Sequence, residues 1–538
     1  MSVDSVDTRA LRLTRQEWLF LAAAIVFWGL YVLWLGKDTS WDFRNYHWYI
    51  PYAFLNGREH LDVLVAHQAS YYNPFQDIPF YLLATHTPAW LALFILGCVQ
   101  GANVVPLYIL GRQTLRIDEY KLGAAALALL GQAGGLGLNM FGTTYHDNTM
   151  SIFILSAIAI LVVNRKRLNE GPLWLMAAIT AGAGFLVGLT VGLKLPEFPF
   201  AVGFAATLLF LGGSWKHQGV RMIAGGIAGL IGVWAMMGYW TEHLYATTGN
   251  PLFPYFNEYW KSPLALAAPY RDMRFLPTHF WVAAGLPILW VLNWRIADDI
   301  PFVDIRFMLA YVIGIVAIAF WLVGRRSKDP MVFPENARPI LAFAFASYFV
   351  WLKMFSIYRY IVGLEMLGPL LVAIAVGLLP LSRRVQLVTL ALLFIATAAT
   401  TRVEYIERAP INGDDPFVQA DLPKIEHPEK AMVLLTGDDP LGFLAPSFDK
   451  RIPLLRIDGW MVQPQDGTKM TAMMKGRVWE YVSKKRDIYV LSDAGNMGRA
   501  RDALAEYHLR IEWPKCKIFD TNIIGIYQFC PTFKWPRE

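Results

Sequence analysis

The chain is 538 residues long and 55% hydrophobic, yet only 17% charged, with a mean hydropathy of +0.37. An ordinary soluble domain carries about 25% charged residues, so a disordered chain, a coiled coil or a conventional soluble enzyme is excluded as the main architecture. The net charge of +6 resides mostly in short Lys and Arg clusters between apolar runs, which is the charge pattern of membrane topology rather than of a nucleic-acid partner.

Apolar runs near the roughly 20 residues needed to cross a bilayer place eleven helices at about 17–36, 88–111, 121–139, 149–164, 171–192, 197–214, 222–241, 307–324, 338–354, 360–381 and 385–401. The first run lacks a small-residue cleavage site and is followed by many others, so it reads as a retained helix. With Arg9, Arg12 and Arg15 on the cytoplasmic side, the successive inside loops carry Arg112, Arg116 and Lys121; Arg165, Lys166 and Arg167; Lys216 and Arg221; Arg325, Arg326 and Lys328; and Arg383 and Arg384. Every inside loop is then basic, as the positive-inside rule requires. The apolar stretch Phe280–Trp294 contains Pro287 and, at about 15 residues, is too short to span. Counting it would also export the later Arg clusters, so it reads as an interfacial or re-entrant helix. The C-terminus then lies outside.

The first outside loop, about 37–87, opens with Asp38-Thr39-Ser40-Trp41-Asp42-Phe43-Arg44-Asn45-Tyr46-His47 and continues into amphipathic stretches around 46–57 and 74–84. A loop of about 50 residues between helices points to function. Interfacial aromatics explain Trp48, Tyr49 and Tyr52, but not Asp42, Arg44 and His47. The second outside loop, Thr143-Thr144-Tyr145-His146-Asp147-Asn148, supplies another acid. Asp147 or Asn148 also suits the N-cap of the next helix. Two carboxylates on separate loops of one membrane face match a general base with an orienting or metal-binding acid. Asp42, Asp147 and His146 are the candidate set for a divalent cation.

Lys194 and Glu197 flank Pro196 in the third outside loop, and the fourth, about 242–306, contains Gly249-Asn250-Pro251-Leu252-Phe253-Pro254. An Asp-x-Arg-Phe pattern occurs there twice, at Asp272–Phe275 and Asp304–Phe307. Both read as local ion pairs anchoring the interfacial helix to headgroups. Between the ninth and tenth runs, Tyr358-Arg359-Tyr360 places a guanidinium between two tyrosines, suited to bidentate contacts with a lipid-linked phosphate. Glu365, inside the tenth run, needs a partner or a water-filled cavity, and Arg359 is the candidate partner.

After Thr401 the hydropathy changes. Short apolar runs at Ala431–Thr436, Ile452–Ile457, Ile488–Ser492 and Asn522–Gln528 alternate with amphipathic stretches at Thr468–Lys484 and Met497–Leu509. Residues 402–538 therefore read as a small extramembrane α/β domain attached to a helical membrane domain over 1–401. Cys516 and Cys530 would pair in an oxidising compartment, joining two late strands, whereas Cys98 lies in a span and packs there.

These features together resemble the GT-C superfamily of polyprenyl-phosphate-sugar-dependent glycosyltransferases. The resemblance rests on a first helix followed by a long outside loop with an early acid (Asp42), interfacial helices in that loop, a second acid (Asp147) after the third span, and a C-terminal outside domain. It implies a polytopic α-helical GT-C fold and a bacterial inner-membrane enzyme with its catalytic face and C-terminal domain in the periplasm. It implies inverting transfer of a sugar from a polyprenyl-monophosphate donor to a hydroxyl of a glycan or glycolipid. Carried over, Asp42 is the base, Asp147 shapes the acceptor or metal site, and Arg359, Lys194 and Tyr358 hold the donor phosphate. Arg44, Tyr46, His47, His146, Asn250, Arg271, Arg274 and Glu365 are the acceptor or sugar candidates. The first acid lacks the paired Asp-Glu of the protein O-mannosyltransferases, which argues against a protein acceptor. No Gly-rich nucleotide loop is present. The competing classes are a lipid or polysaccharide transporter, which commonly shows repeated halves, and an O-antigen-type polymerase or ligase.

Overall fold

The computed structural model describes residues 12–535; Arg9 lies outside them. Among the described residues, six helices are long and apolar enough to cross a membrane. The other apolar runs form helices that are shorter, interrupted or less uniformly apolar.

Helix α1 (Arg15–Leu35) starts with a capping box, in which Thr14 accepts from the Glu17 amide and Glu17 accepts from the Thr14 amide, satisfying two orphan donors reciprocally. The chain then forms a two-residue strand β1 (Lys37–Asp38), a π-turn Phe43–His47, and two short helices, α2 (Tyr49–Leu55) and α3 (Ile78–His86). The second predicted span is two helices, α4 (Ala89–Gly101) and α5 (Val104–Thr114). The third is also divided, into α6 (Tyr120–Gln132) and α7 (Gly135–Asn139), because Gly134 sits against Glu365 and leaves no room for a side chain.

Helices α8 (Asp147–Val163), α9 (Arg165–Glu170), α10 (Leu173–Leu193), α11 (Phe198–Phe210) and α12 (Trp215–Thr248) follow. Gly184, Gly188 and Gly192 recur every fourth residue on α10 and face Gly225, Gly229 and Val233 of α12, where a Cβ would overlap the opposite backbone. Small residues at this spacing let two helix backbones approach closely in a bilayer. After α13 (Asn257–Trp260) comes α14 (Phe280–Leu292), the segment read as interfacial, which packs on α15 (Arg306–Leu322) through Trp290 and Phe307. Beyond them lie α16 (Pro334–Met354), α17 (Val362–Leu378) and α18 (Arg383–Thr400). Helix α17 is buried along almost its whole length, with α5, α6, α8, α15, α16 and α18 packed about it.

The C-terminal region forms a mixed sheet in the order β6 (Leu454–Arg456), β5 (Ala431–Leu435), β7 (Asp487–Asp493), β10 (Ile526–Lys534) and β8 (Leu509–Ile511), with β9 (Lys517–Asp520) also on β10. Strands β6 and β7 run parallel to β5 on its two sides. Helices α19 (Lys469–Ser483) and α20 (Met497–Ala505) coincide with the amphipathic stretches. Cys516 and Cys530 are disulfide-bonded, but only Cys530 lies in a strand; Cys516 caps the turn before β9.

This region is stitched to the helical part. Strand β1 pairs with β4 (Arg408–Ala409), and β2 (Phe302–Val303) pairs with β3 (Arg402–Val403). Val63 of the first loop bridges to Leu455, and Asp62, itself paired with Arg58 at 2.6 Å, accepts from the Leu454 amide. One hydrophobic core runs from Trp28 and Val32 of α1 through Trp48 and Tyr49 to Phe417, Val433 and Phe529.

Candidate active site

Asp38 ties the two acidic loops together. Its carboxylate accepts from the Ser40 amide at 2.9 Å, and from the Thr144 amide and hydroxyl at 2.9 and 3.0 Å. The chain segments carrying Asp42 and Asp147 are thereby fixed relative to one another. Lys37, beside it, donates to the Phe417 and Asn522 carbonyls, fixing the same segment to the C-terminal region.

Asp42 and Asp147 each face one cation. Arg359 Nη1 lies 3.4 Å from Asp42 Oδ2, and Lys194 pairs with Asp147 while donating to the Tyr145 carbonyl at 2.8 Å. The two cations share an aromatic floor: Arg359 lies 4.7 Å from the Tyr145 ring centre and 5.5 Å from that of Tyr360, and Lys194 is 5.5 Å from Tyr360. Negative ring faces hold cations without neutralising them. Arg359 Nε is buried and has no hydrogen-bond partner among the described residues. The Arg359 amide donates to Asp298 at 2.9 Å, so the loop before α15 sets its position. Burial pushes the Asp298 carboxyl up to about 6, although Arg359 and its two amide donors oppose the shift. Tyr46 adjoins this group through Asp42 and Arg359, and Tyr72, Tyr255 and Tyr270 close its aromatic wall, with Tyr72 and Tyr255 stacked at 5.5 Å.

A second polar group lies beside the first. Asp77 Oδ1 is 2.7 Å from His47 Nδ1 and 2.8 Å from His146 Nε2, all three residues being buried. The two imidazoles hold the Asp77 carboxyl below the ordinary carboxylate range despite its burial. These ligand atoms lie within 4.8 Å of one another, and a His-Asp-His donor set suits a divalent cation such as zinc. One oxygen within hydrogen-bond distance of both rings equally makes the group a relay that fixes two loops. His146 therefore faces Asp77, not Asp42 and Asp147 as the sequence suggests for a cation. Asp77, at the cap position before α3, carries no motif that marks it in the sequence.

Other expectations change. Helix α8 begins without a side-chain cap: His146, at φ 65°, occupies the cap position, Asp147 turns to Lys194, and Asn148 donates to the Gly137 carbonyl at 3.0 Å. Glu365 does not meet Arg359; it accepts from the amides of Gly137 at 2.9 Å and Leu136 at 3.4 Å. Asp304 and Arg306 are wholly buried rather than at headgroups, and Arg306 donates to the Leu130, Gly131 and Ala133 carbonyls that end α6. Asp272 and Arg274 do form the exposed local pair, joined by Asp299.

Tyr358 is buried against Trp290, Phe302 and Phe307, away from Arg359's aromatic floor. Arg44 pairs with Asp439 at 2.9 Å and is thus committed to the C-terminal region. Asn250 is buried, accepting from the Leu252 amide and donating to the Tyr255 carbonyl, so it shapes its own turn. Arg271 donates to the Met354 carbonyl at the surface.

No family model matches the chain, and no curated protein matches it. Among solved structures it is similar to the crystal structure of ArnT from Cupriavidus metallidurans bound to undecaprenyl phosphate, at 16% identity and a TM-score of 0.45, covering 71% of this chain and 64% of that one. It is also similar to the Archaeoglobus fulgidus oligosaccharyltransferase complex with Zn and sulfate, at 13% identity and a TM-score of 0.43, covering 89% of this chain and 69% of that one. The chain thus spans a little under two thirds of the ArnT chain it matches.

Proposed function

We propose that this chain is a membrane-embedded inverting glycosyltransferase of the GT-C type, taking a sugar from a polyprenyl-monophosphate donor. The observation that carries the reading is the pairing of two cations with two acids on one aromatic floor: Arg359 beside Asp42, and Lys194 beside Asp147. Polyprenyl-phosphate sugars are already activated, so catalysis needs a base for the attacking hydroxyl and positive charge for the departing phosphate.

In this reading Asp42 accepts the proton of an acceptor hydroxyl. The hydroxyl oxygen forms a bond to the anomeric carbon as the bond from that carbon to the phosphate oxygen breaks, and its electron pair leaves on the polyprenyl phosphate. Arg359, with its unpartnered Nε, and Lys194 stabilise that charge, while the prenyl tail remains among the helices. Asp147 orients Lys194. The chain lies in a bacterial inner membrane with these loops and residues 402–538 in the periplasm; a Cys516–Cys530 disulfide suits that oxidising compartment. A glycan or glycolipid serves as acceptor.

Native mass spectrometry of the chain in nanodiscs tests the reading. Wild type should carry polyprenyl phosphate or its sugar adduct, and Arg359→Ala should lose it. Identical bulk phospholipid in both proteins would overturn the donor assignment.

A further inference from the structure

The loops that follow β5 and β6 meet the first outside loop at Trp41, one residue from Asp42. Strand β5 has a parallel neighbour on each side, and the chain reaches one before crossing to the other. Such a reversal leaves a crevice at the carboxyl ends of the strands. Here it holds Asp438 after β5 and Asp458 after β6, bridged by Arg499 of α20: Arg499 Nε donates to Asp458 at 2.6 Å, and Nη1 pairs with Asp438.

Aromatic groups cover this ionic floor. Trp41 Nε1 donates to the Asp438 carbonyl at 3.4 Å; its ring stacks on His67 at 5.7 Å and meets the edge of Trp460 at 6.3 Å. Trp460 is 60% exposed, although it is held in a defined turn by the Gly459–Val462 backbone bridge. His67 is wholly buried, and its Nδ1 meets Asn45 Oδ1 at 3.0 Å. Asn45 donates its amide to the Ala66 carbonyl, which leaves its oxygen to accept from His67 Nδ1. His67 Nε2 is then an acceptor, buried and without a partner among the described residues. Burial beside Arg456 and Arg499 holds this imidazole well below its ordinary range, so it stays neutral.

We infer that Trp41, Trp460, Asp438, Asp458 and Arg499 form a carbohydrate subsite that seats a sugar ring of the acceptor beside Asp42. An indole face carries negative quadrupole density that attracts the polarised axial C–H groups of a pyranose. The carboxylates and guanidinium at its margin offer acceptors and donors for equatorial hydroxyls. A headgroup anchor would need only an exposed Trp; the two acids and the guanidinium beside it are complementary to a neutral polyol. The inference rests on the glycosyltransferase reading for its assignment to the acceptor and deepens it by naming the C-terminal region as part of the acceptor site.

Saturation-transfer NMR on the full chain in nanodiscs tests it, with methyl α-mannopyranoside, methyl β-glucopyranoside and methyl β-galactopyranoside at millimolar concentration as probes. At least one should receive saturation at its ring protons from wild type. Trp460→Ala should weaken that binding about fivefold, Trp460→Tyr should restore part of it, and Trp513→Ala, at an exposed site in another loop, should leave it unchanged. No transfer to any probe, or equal transfer in wild type and Trp460→Ala, would overturn the inference. Bound polyprenyl phosphate without sugar binding would fail the subsite alone. Sugar binding sensitive to Trp460, in a chain that carries no polyprenyl phosphate, would fail the donor reading and leave a carbohydrate-binding surface.

Discussion

Asp42 Oδ2 lies 3.4 Å from Arg359 Nη1, close enough for attraction but beyond a good hydrogen bond, so neither group saturates the other. An acid left in this state retains a lone pair for a substrate proton, and the guanidinium retains donors for a phosphate. Asp42→Asn keeps the shape and removes the carboxylate proposed as the base. Turnover should fall about 10²–10⁴-fold, while native mass spectra still show bound donor lipid. Turnover within about threefold of wild type would remove Asp42 from the base role.

Asp298 makes the site's support sensitive to pH. Its folded-state pKa of about 6 stands above the ordinary 3.8, so between these values the folded chain holds a proton that the unfolded chain has released. Stability should therefore fall as pH rises from about 4 to about 6, by about 2–3 kcal/mol from this group. Asp298→Asn should flatten that part of the curve, read as melting temperature against pH. An unchanged slope would show that Asp298 titrates alike in both states.

The glycine face between α10 and α12 should tolerate no enlargement. Gly188→Ala places a methyl on the Gly229 backbone and should lower the melting temperature by several degrees, a loss of about 1–3 kcal/mol. Gly226→Ala, with nothing within 4 Å, is the matched control and should be neutral or slightly stabilising. Equal melting temperatures would mean that the two helices separate readily.

Arg44 and Asp439 join the first loop to the C-terminal region, so each single alanine variant should cost about 1–3 kcal/mol, and the double variant should cost less than the sum. A coupling energy below about 0.3 kcal/mol would make the pair incidental.

What was legible in the sequence follows from the range of each interaction. Apolar runs and amphipathic periods are local, and they locate helices such as α12 and α17 and strands such as β5 and β7. The break at Gly134 is set by a neighbour distant in sequence, Glu365. Arg359 and Glu365 lie close along the chain and invite pairing, yet the Glu365 carboxylate binds the Leu136 and Gly137 amides instead. Asp42, Asp147, Lys194 and Arg359 stand out because charges beside membrane helices are costly without a purpose. Asp77 and His67 do not stand out; their meaning comes from partners on other loops, which no spacing encodes.

The bridge from Val63 to Leu455 also bears on how the protein is made. The segment 37–87 leaves the ribosome long before the strand that completes it: Asp62 and its partner Leu454 are 392 residues apart. At about 5–20 residues per second, that loop waits about 20–80 s for its neighbour. During this interval Arg58, Asp62 and the Asp42 segment have no sheet to lean on. Assembly of the site is therefore a late, post-insertion event, and a chain stalled before β6 would expose an unfinished loop to the proteases and chaperones of its compartment.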